Sequence, residues 1–284
     1  MKILVTGYNG QLGYDVVLAG KSNGLQMIGI GSQDLDIRDE QKVKEYIQTI
    51  KPDAIIHCAA YTAVDNAEGD KETCWDVNVN GTKYLAEAAK EINAKFIYIS
   101  TDYVFNGEGN IPFLETDKAA PVGYYGLTKY EGEKIVQKVL DKYYIVRISW
   151  VFGINGNNFI KTMLRLAETR NELNVVGDQY GSPTYTYDLA KLLIEMALTE
   201  KFGIYHASNE GFCNWAEFAT EIFKLAEKSV KVNSITSNQY PTKAVRPKNS
   251  RMSKQKLFEN GFKRLPNWQD ALVRYVQELA EEVK

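Results

Sequence analysis

Two Tyr-x-x-x-Lys pairs, Tyr125/Lys129 and Tyr187/Lys191, have the residue types for proton transfer to a carbonyl oxygen. Residues four apart share one face of a helix, so the ammonium group can stabilise a phenolate and lower the tyrosine pKa from about 10. With 18 tyrosines in the chain, such pairs also arise by chance. Only Tyr125 follows a predicted strand by one loop, and Thr101 at that strand's end can bind the same carbonyl oxygen. We therefore predict Tyr125, Lys129 and Thr101 as catalytic and interpret Tyr187/Lys191 as a surface helix pair.

A glycine-rich turn with the spacing GxxGxxG separates the first predicted strand from the first predicted helix, at Gly7, Gly10 and Gly13. The first glycine permits a tight turn, the second lets a pyrophosphate approach the main chain, and the third lets helix and strand pack closely. The N–H groups at the start of the helix then face the anion. We therefore predict that this turn binds a dinucleotide, rather than being a purely structural turn.

These residues need a scaffold that brings loops to one edge, and the hydrophobic pattern predicts one. Apolar runs suited to strands lie at residues 2–6, 27–30, 53–58, 95–100 and 143–148. Helical patterns lie at residues 12–19, 40–50, 74–92, 125–139, 159–169, 187–199, 215–226 and 268–283. Apolar strands separated by helices are typical of a parallel sheet covered on both faces. We predict an α/β fold, a Rossmann-type doubly wound parallel sheet, with residues 1–150 as the NAD(P)-binding domain and 151–284 as a smaller, interleaved substrate-binding lobe.

Composition and charge exclude several other classes of protein. The 284 residues, 44% of them hydrophobic, suffice for one large α/β domain or one domain with an appendage. A net charge of −2 without a basic run argues against nucleic acid and membrane surfaces as partners. Three widely spaced cysteines and two histidines leave little for a metal site or a serine-hydrolase triad, and we interpret His57 as a hydrogen-bonded residue at a strand end. No apolar run is long enough for a signal peptide or a membrane span, so we predict a cytoplasmic protein.

The glycine spacing resembles that of the extended short-chain dehydrogenase/reductase superfamily. In such proteins an acidic residue usually ends the second strand and binds the ribose 2′-hydroxyl. Here Gly31 and Ser32 occupy that place, so no carboxylate repels a 2′-phosphate, and the cofactor can be NADPH or NADH. The resemblance implies that Ser32, Asp36 and Ile37 meet the adenosine end of the cofactor.

A closer resemblance, to the dTDP-4-dehydrorhamnose reductase family, rests on six segments that occur in the family's order and span nearly the whole chain. They are AAYTAVD at 59–65, STDYVFNG at 100–107, YGLTKYEGE at 125–133, RISWVFG at 147–153, DQYGSPT at 178–184 and RPKNSR at 246–251. The resemblance implies that Tyr125 is the general acid. It also implies that Lys129 modulates the pKa of Tyr125 and binds the nicotinamide ribose, and that Thr101 tunes the substrate oxygen.

The same resemblance implies the binding residues. Those for the cofactor are Gly7, Asn9, Gly10, Gln11, Leu12 and Gly13 in the turn, Ala59, Ala60, Tyr61 and Thr62 near the nicotinamide, and Tyr125 and Lys129. Those for the substrate are Val64, Asp102, Tyr103, Trp150 and Arg246. Lys161, Arg246 and Arg251 are the candidates for the dTDP end, each with an exposed structural salt bridge as the alternative. For Trp150 the alternative is a core aromatic residue after the fifth strand. Asn78 resembles the superfamily's helix asparagine, which helps to hold the lysine and a water.

The implied function is NAD(P)H-dependent reduction of the 4-keto group of dTDP-4-dehydro-β-L-rhamnose to dTDP-L-rhamnose, the last step of dTDP-rhamnose biosynthesis. Two alternatives stay open: another nucleotide-sugar epimerase or reductase of the superfamily, or a non-catalytic regulatory subunit like that of methionine adenosyltransferase. Some family members form a magnesium-dependent dimer through glutamates, but Asp15 follows Tyr14 here and no partners for it are evident. We predict no metal for catalysis, a nucleotide-sugar partner, and a monomer or homodimer.

Overall fold

A computed structural model describes residues 1–282, which form twelve strands and eleven α-helices. The strands are β1 Lys2–Thr6, β2 Gln26–Ile30, β3 Ala54–His57, β4 Lys95–Thr101, β5 Tyr143–Ile148, β6 Val151–Phe152, β7 Glu172–Val176, β8 Tyr180–Gly181, β9 Thr184–Tyr185, β10 Gly203–His206, β11 Cys213–Asn214 and β12 Lys231–Ile235. The helices are α1 Gln11–Ser22, α2 Glu40–Ile50, α3 Val64–Ala67, α4 Lys71–Trp75, α5 Gly81–Glu91, α6 Tyr124–Val139, α7 Phe159–Ala167, α8 Thr186–Leu198, α9 Trp215–Leu225, α10 Gln255–Glu259 and α11 Trp268–Glu282.

Six strands form the central sheet, in the order β2-β1-β3-β4-β5-β10, and every neighbouring pair is parallel. The chain runs from β1 to β2 on one side and then continues with β3 on the other side of β1. In such doubly wound sheets, ligands bind at the carboxyl ends of the strands where the winding direction changes. The predicted α/β class and parallel sheet are therefore confirmed, and the change of direction lies between β1 and β3.

Helices cover both faces of this sheet, which explains why its strands are apolar throughout. Helices α1 and α8 pack on one face, where Val16 and Leu193 belong to the same buried cluster as Ile3 of β1. Helices α2, α5 and α6 cover the other face, where Leu85 and Val136 are fully buried. Burial of each such side chain stabilises the fold by roughly 1.5–3 kcal/mol. The two cores hold the carboxyl ends of the strands in a fixed register.

A third core lies beyond the sheet, among α7, α9, α11 and the parallel pair β7 and β12. Phe152, Phe218 and Tyr275 are buried at its centre. Helix α8 and strand β10 also follow residue 150 in the chain, yet they pack on the central sheet. We therefore keep the division into residues 1–150 and an interleaved lobe of 151–284 as a proposal.

The helix predicted over residues 74–92 differs from the observed one in a way that matters for the site. It begins as α4, passes through a π-helical turn at Asp76–Asn80, and continues as α5. This turn carries Asn78, whose carbonyl oxygen lies so close to Gly132 of α6 that a Cβ added to Gly132 would be 3.0 Å from it.

The bounds of the other predicted helices and strands differ from the observed ones by three residues or fewer, and residue 283 of the last predicted helix lies outside the described residues. Within residues 1–282, no helix is long and apolar enough to cross a membrane.

Candidate active site

A cleft of about 1160 Å³ opens at the carboxyl ends of the central strands. All the predicted catalytic and cofactor-binding residues line it, and so do four of the predicted substrate residues, Val64, Asp102, Tyr103 and Trp150. A second cavity of about 920 Å³ adjoins it and is lined by the fifth, Arg246. Tyr103, Trp150 and Trp215 line both spaces. The structure thus brings together residues from seven separate chain segments.

The glycine turn is shaped for close approach of an anion. Gly7 has a φ of +72°, and a Cβ on it would lie 2.7 Å from the main-chain nitrogen of Ala59. A Cβ on Gly13 would lie 2.3 Å from the carbonyl oxygen of Gly7. Helix α1 then starts with Gly10 as N-cap, without a side-chain cap and without an acidic residue in its first turn. The first-turn N–H groups and the positive end of the helix dipole therefore suit a pyrophosphate.

The C-terminal lobe holds this turn in place. The Gln11 side-chain oxygen accepts hydrogen bonds from the main-chain N–H of Gly153 (2.9 Å) and from the side chain of Asn158 (3.1 Å). The Asn155 amide donates to the carbonyl of Asn9 (3.0 Å). Because the Gln11 side chain is used in this way, its contribution to cofactor binding would come from its main chain.

The adenosine end of the cleft contains a cation that the sequence analysis missed. Arg38 lines the cleft beside Ser32 and Ile37, and its guanidinium binds the Asp36 carboxylate through Nε (2.9 Å) and Nη2 (2.7 Å). This contact lowers the pKa of Asp36. An arginine soon after a second strand that lacks a terminal carboxylate is the signal that sequence reasoning could have used, since arginine accommodates the 2′-phosphate of NADP.

We expect Arg38→Ala to raise the KM for NADPH by about tenfold or more, because a charge-assisted contact with the 2′-phosphate is lost. The KM for NADH should change little, since NADH has no such phosphate. Steady-state kinetics with both cofactors measure the difference. The matched control is Lys42→Ala. Lys42 is an exposed cation that pairs with Asp39 and does not line the cleft. Equal effects of Arg38→Ala on the two cofactors would contradict this role.

The predicted proton donor, Tyr125, and its neighbours lie where β4 ends and α6 begins. The Thr101 hydroxyl donates to the Asp102 carboxylate (3.1 Å) and accepts from the main-chain N–H of Tyr103 (3.2 Å). Tyr125 is the second residue of α6, and it lies close enough to Thr101 for that side chain to lower the pKa of its phenol against the larger effect of burial. The Tyr103 ring meets the Tyr125 ring edge-on, with centroids 5.7 Å apart. A carboxylate from elsewhere supports the start of the helix, since the Glu68 side chain accepts the N–H of Tyr124 (2.8 Å).

Burial dominates the electrostatics of this group. It raises the pKa of Tyr125 well above the ordinary value, and the charge of Asp102 adds to the effect. This direction is opposite to the lowering expected from the spacing of Tyr125 and Lys129, because desolvation disfavours the phenolate. Burial also raises the pKa of Asp102 to about 6. A tyrosine that keeps its proton at neutral pH is suited to protonate an oxygen during reduction.

Lys129 lies one helical turn after Tyr125 and is buried, with its Nζ 4.1 Å from the centroid of the Tyr98 ring. Burial lowers the pKa of Lys129 to about 7, and the charge of Glu133 opposes this lowering. The ammonium form is therefore present below about pH 7 and is lost as the pH rises further.

We expect kcat/KM for NADPH to decrease as the pH rises through about 7, because this parameter reports groups of the free enzyme and Lys129 loses its charge there. An exposed lysine, with its pKa of about 10.4, would give no change in that range. The measurement is a pH profile of kcat/KM between about pH 6 and 9. A flat profile would contradict the assigned environment of Lys129.

Asn78 of the π-helical turn ties the nicotinamide side of the cleft to α6. Its side-chain oxygen accepts the main-chain N–H of Tyr61 (2.8 Å), and its amide donates to the hydroxyl of Thr128 (3.0 Å). His57, interpreted as a strand-end residue, is buried between the hydroxyls of Thr6 (2.8 Å) and Thr82 (3.1 Å). Burial lowers the pKa of His57 to about 3, so this histidine stays neutral.

A buried ion pair beneath the catalytic residues was also missed. Glu133 and Arg147 are almost fully buried, and two hydrogen bonds join them, Nε to Oε1 (2.9 Å) and Nη2 to Oε2 (2.7 Å). The Ser100 hydroxyl also donates to Glu133. The pair links α6 to the ends of β4 and β5. Its members lie in segments quoted for the family resemblance, but no spacing pattern predicts that they meet.

Of the three cations predicted for the dTDP end of the substrate, one lies at the site and two lie away from it. Arg246 lines the second cavity, where it donates to the Asp65 carboxylate (2.6 Å) and to the Tyr103 hydroxyl (3.3 Å). Lys161 instead donates to the carbonyl of Ile154, and Arg251 lies 4.3 Å from the centroid of a tyrosine ring. Neither residue lines the cleft or the second cavity, so the geometry brings only Arg246 of the three to the site.

Two further predictions concern the second Tyr-x-x-x-Lys pair and the need for a metal. The Tyr187 ring is exposed, with the Lys191 Nζ 3.9 Å from its centroid, and neither residue lines the cleft. Across residues 1–282, no three His, Cys, Asp or Glu side chains are grouped as a metal site would need. That catalysis needs no metal remains a prediction.

The sequence of this protein is similar to a known family and to known proteins over nearly its whole length. The family described as RmlD substrate binding domain matches residues 1–281. The dTDP-4-dehydrorhamnose reductase of Aggregatibacter actinomycetemcomitans is 42% identical, and the match covers 95% of this chain and 97% of that relative. The spore coat polysaccharide biosynthesis protein SpsK of Bacillus subtilis (strain 168) is 40% identical over 98% of this chain and 97% of its own length.

A solved structure is similar over the same length. The crystal structure of dTDP-4-dehydrorhamnose reductase from Bacillus anthracis str. Ames in complex with NADP is 41% identical, with a TM-score of 0.95. The match covers 98% of this chain and 100% of that chain. A family match over almost every residue, together with relatives near 40% identity, shows that the chain belongs to the dTDP-4-dehydrorhamnose reductase family.

Proposed function

We propose that this protein reduces the 4-keto group of dTDP-4-dehydro-β-L-rhamnose to dTDP-L-rhamnose, with NADPH or NADH as the reductant. The observation that carries the proposal is the position of Thr101, Tyr125 and Lys129. They lie in a cleft shaped for a dinucleotide, beside Tyr103 and Trp150, which also line the second cavity. A ketone on a nucleotide sugar that spans both spaces would thus reach the proton donor. Relatives near 40% identity are named as reductases of this ketone.

The chain's own residues would carry the proton side of the reaction. A reduced nicotinamide supplies the hydride for the carbonyl carbon when it is bound. Tyr125 donates its phenolic proton to the carbonyl oxygen, and the Thr101 hydroxyl, which lines the same cleft, orients the oxygen. The Lys129 ammonium stabilises the phenolate left on Tyr125. Thr101 and Lys129 are buried and Tyr125 is half-buried, which limits the access of water and strengthens these interactions.

The second cavity is the proposed place for the nucleotide. Arg246 supplies a cation that is only partly neutralised by an exposed carboxylate, Asp65, so the diphosphate of a substrate can recruit it. Trp150, whose ring is stacked on that of Trp215, supplies aromatic surface at the junction of the two spaces. Gln179 and Ser250 line the cavity and offer polar groups for a base or a sugar. A nucleotide site of mixed aromatic and polar lining is typical of small-molecule pockets.

NADPH is the favoured cofactor within this proposal, because Arg38 faces the adenosine end and no carboxylate ends β2. The relative from Bacillus anthracis binds NADP. The monomer or homodimer and the cytoplasmic location predicted from the sequence are kept as proposals. The role of dTDP-L-rhamnose in a surface polysaccharide is supported by the name of SpsK.

The test is consumption of NADPH and NADH by the purified protein with enzymatically generated dTDP-4-dehydrorhamnose. We expect loss of one reduced cofactor for each dTDP-L-rhamnose formed, identified by mass spectrometry and NMR. No turnover with either cofactor would overturn the reductase assignment. Tightly bound NAD with interconversion of sugar epimers would instead indicate an epimerase, and capture of a synthetase without turnover would indicate a regulatory subunit.

A further inference from the structure

The wall between the cofactor cleft and the second cavity is built from two stacked tryptophans. The rings of Trp150 and Trp215 are 3.6 Å apart at their centroids and 13° from parallel. Both residues are half-buried, and both line the two spaces. Phe159 packs against the Trp215 ring from the lobe, with centroids 4.6 Å apart. A molecule that extends from Tyr125 into the second cavity must therefore pass this pair.

Trp150 has a backbone conformation that it would not adopt unaided. Its φ is +50°, in the left-handed region that side chains other than glycine, asparagine and aspartate rarely adopt. Its carbonyl accepts the N–H of Thr184 (3.0 Å), and its ring lies against Gly181. A Cβ on Gly181 would be 2.7 Å from the indole Cε2. Such a conformation persists only where the surroundings hold it.

One short ribbon provides those surroundings on both sides. Strands β8 and β11 pair antiparallel, which places Gly181 opposite Cys213 and leads directly into Trp215. Trp215 is the first residue of α9, and a capping box fixes that helix end. In this box the Asn214 side chain accepts the N–H of Glu217 (2.8 Å), and the Glu217 side chain accepts the N–H of Asn214 (2.9 Å). The Trp215 ring is thus presented by a rigid element.

We propose that Trp215 is a positioning and specificity-determining residue, which holds the strained Trp150 as the wall against which the nucleotide sugar binds. The inference rests on the proposed function, since it concerns how that substrate is held. Trp215 acts through Trp150, so its loss impairs substrate binding and leaves the proton donor intact. The pair also limits the width of the junction, so that its removal admits nucleotide sugars of other shapes.

The test is a double-mutant cycle in the full-length enzyme with bound NADPH. We expect Trp215→Ala to raise the KM for the nucleotide-sugar ketone by about tenfold, with kcat within about threefold of the parent. The KM for NADPH should stay at the parent value. The KM for the nucleotide-sugar ketone should agree within about twofold between Trp150→Ala and the double variant, because removal of Trp215 has no further effect once Trp150 is absent. Trp215→Phe keeps a stacking ring and should restore most of the affinity.

Trp268→Phe is the control for a lost indole in the same lobe, because Trp268 is buried against Phe218 and lines neither space. A parent-like KM in Trp215→Ala would overturn the inference while the proposed function stands. Additive effects in the cycle would also overturn it, because Trp215 would then contact the substrate independently. A parent enzyme that reduces no such ketone would overturn the proposed function, and this inference with it.

Discussion

Tyr125→Phe should lower kcat for the nucleotide-sugar ketone by about 100- to 10,000-fold, the range typical of a lost general acid. The substitution removes one oxygen from a half-buried side chain and leaves the ring that packs against Tyr103. Ground-state binding should change little, so the KM for NADPH should stay within about threefold. The measurement is steady-state kinetics with the 4-keto substrate at saturating NADPH.

The reason for so large an effect is that Tyr125 is the assigned donor of the proton to the carbonyl oxygen, and phenylalanine has no proton to donate. The Thr101 hydroxyl cannot take over this role, because it donates its proton to the Asp102 carboxylate. Tyr187→Phe is the matched control, because it alters the other Tyr-x-x-x-Lys pair on the exposed surface. Turnover that survives in Tyr125→Phe would preserve the function and remove Tyr125 as its acid.

Glu133→Ala should lower the free energy of unfolding by about 3–5 kcal/mol, the largest effect on stability that we expect from a single substitution. It leaves the Arg147 guanidinium buried without its carboxylate, and the Ser100 hydroxyl loses its acceptor. Desolvation makes such an unpaired charge costly. Denaturation by urea, followed by circular dichroism, measures the change.

The same helix offers a matched control. Glu131 pairs with Lys134 at 2.6 Å on the exposed side of α6, so Glu131→Ala should cost less than about 1 kcal/mol. A loss below about 1 kcal/mol in Glu133→Ala as well would contradict the buried network. In any folded fraction of Glu133→Ala, the pKa of Lys129 should fall further, because the charge of Glu133 raises it. The falling limb of the pH profile would then move below pH 7.

Local pattern was enough to predict the scaffold of the active site. Strands that are apolar on both faces, separated by helices, predict a parallel sheet because both its faces must be covered. The spacing of the glycines in the first turn predicts an anion site. In the structure, Gly7 and Gly13 lie where a Cβ would have no room. Tyr125 and Lys129 could be chosen over the second pair because one follows the end of β4. Each of these signals lies within one turn or one loop of chain.

Features that depend on distant parts of the chain were missed or mistaken. Trp215 reaches the site through the path of helix α9, and no spacing marks it, whereas the position of Arg38 soon after β2 was a signal that could have been used. Strand β10 joins the central sheet from within the C-terminal half, because its partner β5 leaves an open edge there. The π-helical turn at Asp76–Asn80 arises where Asn78 meets two other segments, which a helical pattern does not show.

The sequence by itself determined the fold class of this protein and was enough to predict a dinucleotide turn and a catalytic group, since each is encoded by neighbouring residues. The tertiary structure decided how those groups behave. Burial, and not the neighbouring Lys129, determines the direction of the pKa of Tyr125, because desolvation depends on everything packed around the phenol. The tertiary structure also pairs Glu133 with Arg147 and stacks the Trp150 ring on the Trp215 ring. Such contacts join side chains from different elements, and only the packing of those elements brings them together.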